Sequence, residues 1–306
     1  MTEQNNGTDR APSKNSAKQK KPTSAYRRLR RKFVRTGLRA PIVWLRHRGL
    51  RPSDVFFATY PKSGTTWLRF VLFEMLSGMP AGFKATNELM CGIGDHSKAK
   101  RLRPEGGRLI GTHEYYRKDY TRAIYLVRDA RDVLLSEYAF LKALDFYQGD
   151  LDSFVSHFLF TRVSAYGPWH RNLASWLDSP ITQNGNLMLV RFEDVRQDPV
   201  PWFRRMAEFL RVEVSEEKIR QAVANNSIQK MREKESKEPV KASVRGRFVR
   251  DGAVRGWVSK LTPEQVRLIE THAGSMLARL GYPLSSELNL ETTPDFAMAN
   301  GSVRVS

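Results

Sequence analysis

The run TYPKSGTTW, Thr59 to Trp67, gathers a lysine, a glycine and three neighbouring hydroxyl residues between two apolar stretches, VFFATY and WLRFVLFEML. These residue types suit one task. A strand that ends in a glycine-containing loop and feeds a helix turns backbone N–H groups outward. The first turn of that helix carries unpaired donors and the positive end of its dipole. Gly64 lets the backbone approach a ligand closely. Lys62 supplies a full positive charge, and Ser63, Thr65 and Thr66 supply hydroxyl donors. Together they predict a cradle for a phosphate, sulfate or phosphosulfate. The plainer alternative is a strand-to-helix turn capped by Thr65 or Thr66, but a cap has no need of a lysine. The pattern is not that of a Walker-type nucleotide triphosphatase, GxxxxGK[ST]. Here the lysine precedes the glycine, and the long glycine loop is missing.

Two other residues end apolar runs. Arg128 closes AIYLVR (Ala123–Arg128), where ligands bind in open α/β sheets, and its forked guanidinium suits a phosphate. The alternative is a surface pair with Asp129 or Asp132. His113 closes RLIGTH (Arg108–His113), and an ordinary histidine pKa of about 6.5 suits a base at neutral pH. A lone histidine there is also compatible with a structural role, and Glu114 is the second choice of base.

The elements that must position these groups alternate. VFFATY, RLIGTH, AIYLVR and NLMLVRF (Asn186–Phe192) read as strands. Helical patterns follow at Trp67–Leu76, within DVLLSEYAFLKAL, through most of Leu151–Leu177, and near Pro201–Leu210, Ser215–Ala224 and Pro263–Leu280. Strands separated by helices predict an α/β fold, a parallel sheet flanked by helices in three layers. Lys230 to Trp257 reads as a long basic loop, suited to a lid over an anionic ligand.

Composition bounds the rest. The 306 residues, 41% of them hydrophobic, suffice for a proper core, and no apolar run is long enough to cross a membrane. Cys91 is the only cysteine, so no internal disulfide forms, which fits a reducing cytoplasm. The first residues lack the apolar core of a secretory signal. Of the net charge of +19, residues 1–51 carry +13 (15 Lys+Arg against 2 Asp+Glu). Residues 1–24 read as a disordered basic tail. Residues 25–50 read as a basic amphipathic arm, with Tyr26, Leu29, Phe33 and Val34 at helical spacing and Pro41 interrupting the pattern. Such an arm either lies on an anionic membrane surface or packs its apolar face on the domain. No nucleic-acid motif accompanies the charge, so nucleic acid is not an expected partner. Residues 51–285 form the predicted catalytic domain and 286–306 a C-terminal tail.

From about Arg51 to Pro283 the chain resembles the sulfotransferases that use 3′-phosphoadenosine 5′-phosphosulfate (PAPS) and release the desulfated product PAP. TYPKSGTTW is similar to their 5′-phosphosulfate loop. YLVRDARDVLLSEYAF resembles the segment whose arginine and serine grip the 3′-phosphate, here Arg128 and Ser136. RFVRDGAVRGW resembles the late segment that covers the cofactor, with Arg250 and Gly252 matching and Asp251 standing where lysine is usual. GPWHRNLASW echoes a scaffold pattern of that family. The resemblance further implies Trp67 stacking on adenine, with a core role as the alternative. It places Phe192 where an adenine-neighbouring tyrosine is common, and Asn226, Ser227 and Ile228 at another adenine contact. Lys62 would stabilise the leaving oxygen, and His113 would match the catalytic histidine of a Lys-Thr-His segment whose lysine is replaced by Gly111. No metal is implied. The family's dimer motif is poorly matched, since Pro263 follows Thr262 where valine is typical, and that dimer is not predicted. The acceptor is a small molecule, a glycan or a lipid, lined by EYAFLKALDFY (Glu137–Tyr147) and Leu151–Tyr166. The rival functions are an atypical small-molecule kinase and a non-catalytic membrane adaptor working through the basic arm.

Overall fold

A computed structural model describes residues 40–101, 107–160, 166–240 and 247–288. The tail 1–24, the arm residues 25–39, part of the acceptor stretch (161–165), part of the late basic segment (241–246) and the tail from 289 lie outside the described residues. The strands are β1 Val55–Thr59, β2 Leu109–Thr112, β3 Ala123–Val127 and β4 Leu187–Arg191. The helices are α1 Ala40–Arg46, α2 Thr65–Ser77, α3 Phe83–Leu89, α4 Ala130–Ala143, α5 Leu151–Phe160, α6 Trp169–Leu177 and α7 Pro180–Gln183. They continue with α8 Phe192–Gln197, α9 Pro199–Leu210, α10 Glu216–Asn225, α11 Ile228–Lys237 and α12 Pro263–Arg279.

The sheet is parallel throughout, in the order β2-β1-β3-β4. Every residue of β1 and β3 is buried, as a sheet covered on both faces requires. Alternation along the strands sorts their side chains. Phe56, Ala58, Tyr125 and Val127 join the core under α4, α6 and α12. Val55, Phe57, Ile124 and Leu126 join the core under α2, α9 and α10. This is the expected three-layer α/β fold. The chain leaves β1 toward β2 on one side and reaches β3 on the other. The order therefore reverses between β1 and β3, and the crevice at their carboxyl ends is the natural ligand position.

Charged side chains tie the layers together. Arg131, fully buried, pairs with Asp129 at 2.7 Å and Glu270 at 2.7 Å, donates to the Pro283 carbonyl and covers the Trp257 ring. It fastens α4 to α12 and to the segment that follows. Arg131→Met is expected to cost about 3–5 kcal/mol in denaturant unfolding, because it strands two carboxylates in a dry interior. Thr262 and Gln265 form a reciprocal capping box with Pro263 in the first turn of α12, so Thr262-Pro263 has a local structural use.

Pro41 lies in the first turn of α1, where its missing N–H is harmless, and the pattern before it falls outside the described residues. Two element readings need correction. Phe192 does not extend β4 but opens α8. The basic segment from Lys230 is not a loop throughout, since α11 runs to Lys237. Its amphipathic signal is narrow. Ser227 caps it, Ile228 is half-buried, and the two buried residues are Met231 and Glu235, which accepts the Phe248 and Val249 N–H groups at 2.7 and 2.8 Å.

Candidate active site

The turn after β1 is held in an unusual conformation. Lys62 and Gly64 both take left-handed backbone angles, φ 70° and 95°. That is easy for glycine and uncommon for lysine, and such turns make anion-binding concavities of successive N–H groups. Gly64 caps α2 without any side-chain hydrogen bond, so Thr65 and Thr66 open the helix and neither caps it. The Trp67 and Leu68 N–H groups donate to the Gly64 carbonyl, at 3.1 and 3.3 Å, which leaves the Thr65 and Thr66 N–H groups for a ligand. A Cβ on Gly64 would overlap the Phe192 ring. Gly64→Ala is therefore expected to cost about 1–3 kcal/mol of stability and to weaken anion binding, read by thermal unfolding and calorimetry.

Lys62 lies across two aromatic rings, 4.0 Å from the centre of Phe140 and 4.8 Å from that of Phe248. Burial, assisted by the charges of Arg250 and Arg128 and opposed by Glu137, pulls its pKa down to about 8. It stays an ammonium at neutral pH, weakly hydrated and ready to meet a negative charge. Arg128 reaches the same crevice from the end of β3. It donates to the Lys62 carbonyl at 3.3 Å and the Ala253 carbonyl at 2.7 Å, and stands 4.9 Å from the Phe192 ring centre. Its approach to Asp132, at 3.9 Å, is the longest of its polar contacts. The surface pair with Asp132 thus exists in part, inside the protein, and it leaves the guanidinium in the crevice. Burial pushes the Asp132 carboxyl up to about 6, against the pull of Arg128. Ser136 is buried on α4, two turns beyond Arg128.

The late segment closes over this group. Asp251, which replaces the usual lysine, accepts the Ala253 N–H at 3.3 Å, and Ala253 presents its carbonyl to Arg128. Asp251 thus shapes the turn and offers no cation to the site. Arg250 is exposed, but its charge is felt at Lys62. Gly252 lies beside Phe192 and Ile228. Ser227 is exposed and caps α11, while Asn226 is buried and bound to Glu74 and Lys234. Trp67 packs edge-on against Phe192 and Phe203, at 6.0 and 6.2 Å between centres, with Arg196 over it. It has both a core contact and a half-exposed face.

His113 follows β2 and is fixed by β1. Its Nδ1 lies 2.7 Å from the Thr59 carbonyl and 3.0 Å from Thr59 Oγ1. A carbonyl only accepts, so Nδ1 carries the proton and Nε2 presents a lone pair. Burial first, then the charges of Arg69 and Lys62, lower its pKa to about 4. Asn172, bound to Tyr125, holds the His113 carbonyl at 3.1 Å, and Tyr166 packs edge-on to the ring at 5.3 Å. Gly111 pairs with Cys91 and Ile93 and brings no charge. The cations whose field reaches His113 are Arg69 and Lys62. Glu114, the alternative base, is buried and drawn toward Arg46 at 3.7 Å.

Sequence reasoning missed Thr59, Asn172 and Phe248 as contributors, and read Phe140 within the 3′-phosphate segment and the acceptor-lining stretch without its contact to Lys62. Glu137 was read only as part of an acceptor-lining helix, yet it is buried. A carboxylate within the apolar run of α4 is the signal that could have singled it out.

The fit of an anion can be tested on the protein itself. Ser63 Oγ and Arg128 Nε are buried with no hydrogen-bond partner among the described residues. Lys62, Arg128 and Arg250 repel one another. A phosphate-bearing ligand would supply both the acceptors and the counter-charge.

Residues 52–281 match the model of the sulfotransferase domain family. The chain belongs to that family and is a PAPS-dependent sulfotransferase, transferring a sulfuryl group to an acceptor. A relative from Arabidopsis thaliana, cytosolic sulfotransferase 17, is 24% identical over 254 residues, 72% of this chain and 73% of that one. The crystal structure of mouse sulfotransferase SULT7A1 complexed with PAP superposes with a TM-score of 0.57 at 24% identity, covering 76% of this chain and 89% of that one. Retinol dehydratase, crystallised with androsterone and inactive cofactor PAP, superposes with a TM-score of 0.60 at 18% identity over 74% and 81% of the two chains. These two likenesses give the fold.

Proposed function

We propose that the crevice between β1 and β3 is the donor site of the sulfotransferase, and that His113 is its base. The observation carrying this reading is the meeting of Lys62 and Arg128 around the unpartnered Ser63 Oγ, with a histidine lone pair fixed at the neighbouring strand end. PAPS supplies the activated sulfuryl group, and PAP is the product. Lys62, Ser63, Gly64, Thr65 and Thr66 hold the 5′-phosphosulfate end. Arg128, Ser136, Arg250 and Gly252 hold the 3′-phosphate. Trp67, Phe192, Ser227 and Ile228 border the adenine. Lys62 stabilises the negative charge that builds on the leaving oxygen. His113 Nε2 takes the proton of the acceptor hydroxyl or amine, and Asn172 and Thr59 keep the ring aimed.

Thermal unfolding with PAP and with ATP·Mg²⁺ separates this reading from the kinase. A rise in Tm with PAP alone supports the sulfotransferase site. A rise with ATP·Mg²⁺ alone contradicts it.

The acceptor is a small molecule, and one observation favours a lipid or lipid-linked glycan. Helix α1 exposes Ile42, Trp44 and Leu45, at 45%, 61% and 59%, in a segment rich in arginine. The end of the same helix is fastened through Arg46 to the Ile93 carbonyl and to Glu114, the residue after His113, and the next residue, His47, meets Tyr120 at 2.6 Å. An anionic bilayer meeting this face would lie close to the base. The arm, 25–50, is then a peripheral membrane contact of a cytoplasmic enzyme whose catalytic domain spans 51–285. Phe140, Tyr147 and Tyr166 line the acceptor side. Sedimentation with phosphatidylserine vesicles tests this. Trp44→Ser with Leu45→Ser should weaken binding by about tenfold or more, and equal partition of both proteins would remove the membrane reading.

A further inference from the structure

Glu137 is a carboxylic acid only 5% exposed, and its Oε2 has no hydrogen-bond partner among the described residues. It stands on α4 one turn before Phe140, on the same face of the helix. The Lys62 ammonium rests on that Phe140 ring, 4.0 Å from its centre. The acid therefore stands on the helix face against which the half-buried Lys62 rests its ammonium. A buried acid is costly without a partner, and so is a buried ammonium.

We propose that Glu137 is the resident counter-ion of Lys62, a positioning residue that holds the ammonium on the Phe140 face and keeps it charged until the donor's own negative charge takes over. The inference rests on the placement of Lys62 in the donor site. Lys62 faces Glu137 from α4, Arg128 from the end of β3, Arg250 from the late segment and His113 from the end of β2. Of these Glu137 is the one that favours the charged lysine, while the two arginines oppose it. Burial pushes the Glu137 carboxyl up, with Lys62 pulling it back down, so each group favours the charged form of the other.

The test reads Lys62 in the ligand-free protein. Trace acetylation over a pH series, with the Lys62 peptide quantified by mass spectrometry, gives the midpoint at which the amine becomes reactive. Wild type should show a midpoint near about 8. Glu137→Gln should move it down by about one pH unit or more, and Glu137→Asp should retain most of the wild-type value. An unchanged midpoint in Glu137→Gln overturns the proposal. Infrared spectroscopy gives a second reading that does not depend on that variant's fold. Lys62→Met should raise a protonated-carboxyl band at neutral pH, and Lys62→Met with Glu137→Gln should lack it. The same band in both proteins, or in neither, contradicts the pairing. PAP titration is the separate test of the donor site. Failure there with a shifted Lys62 midpoint would remove the donor reading and leave the counter-ion standing.

Discussion

Lys62→Met is expected to lower kcat by about 10²–10³-fold, the usual loss when one preorganised donor to a developing negative charge is removed. The effect should fall on kcat, because charge grows on the leaving oxygen only as the sulfuryl group departs. Thermal stability should change little or fall, since the apolar chain can still rest on Phe140 and Phe248 but Glu137 loses its counter-charge and must take up a proton. Lys62→Arg should restore only part of the rate, because a planar fork cannot place its charge as a compact ammonium does. The pH dependence has a definite sign. The active form of Lys62 is protonated, and its pKa in the free enzyme is about 8. The alkaline limb of kcat/KM should therefore fall through about pH 8, well below the range of an exposed lysine. Steady-state kinetics across pH 5–9.5 checks this, and an alkaline limb that persists in Lys62→Met would assign it to another group.

His113→Ala should reduce kcat by about 10²–10⁴-fold with a smaller change in KM, the range of a general base. Its active form is the neutral ring with the lone pair on Nε2. With a pKa near about 4, that form is present at all pH values above about 5. The acid limb of kcat/KM attributable to His113 thus lies near 4, and no loss from this residue is expected between pH 7 and 5. Proton acceptance at Nε2 creates an imidazolium beside Lys62 and Arg69, which disfavour it. The Thr59 carbonyl, fixed on Nδ1–H at 2.7 Å, offsets part of that cost. Full activity in His113→Ala would move the role to Glu114, although that carboxyl already has Arg46 at 3.7 Å.

Much of this arrangement was legible in the sequence. Buried runs such as VFFATY and AIYLVR have the length and β-branched or aromatic content of strands covered on both faces, and the structure places them at the centre of the sheet. The reading of Lys62, Gly64 and Arg128 needed only residue type and position at strand ends. Helix α11 was hidden because a polar helix docked by Ile228, Met231 and one buried acid leaves almost no period to detect. The end of β4 was misjudged by one residue because Phe192 is as apolar as the strand, and only its packing against Gly64 shows why the chain turns there. The shell around the reactive groups was the least legible part. The contact of the Thr59 carbonyl with His113 spans 54 residues of chain, and that of Asn172 with the His113 carbonyl spans 59. Neither residue type announces such a contact.

The central claim is that the β1–β3 crevice is an anion site built for the PAPS donor. Isothermal titration of PAP into the wild-type chain, Lys62→Ala and Arg128→Ala tests it most directly. The account expects micromolar binding by the wild type and markedly weaker binding by both variants, each still folded by circular dichroism. Absence of binding at millimolar PAP by a folded wild-type chain, or equal binding by all three proteins, would contradict it.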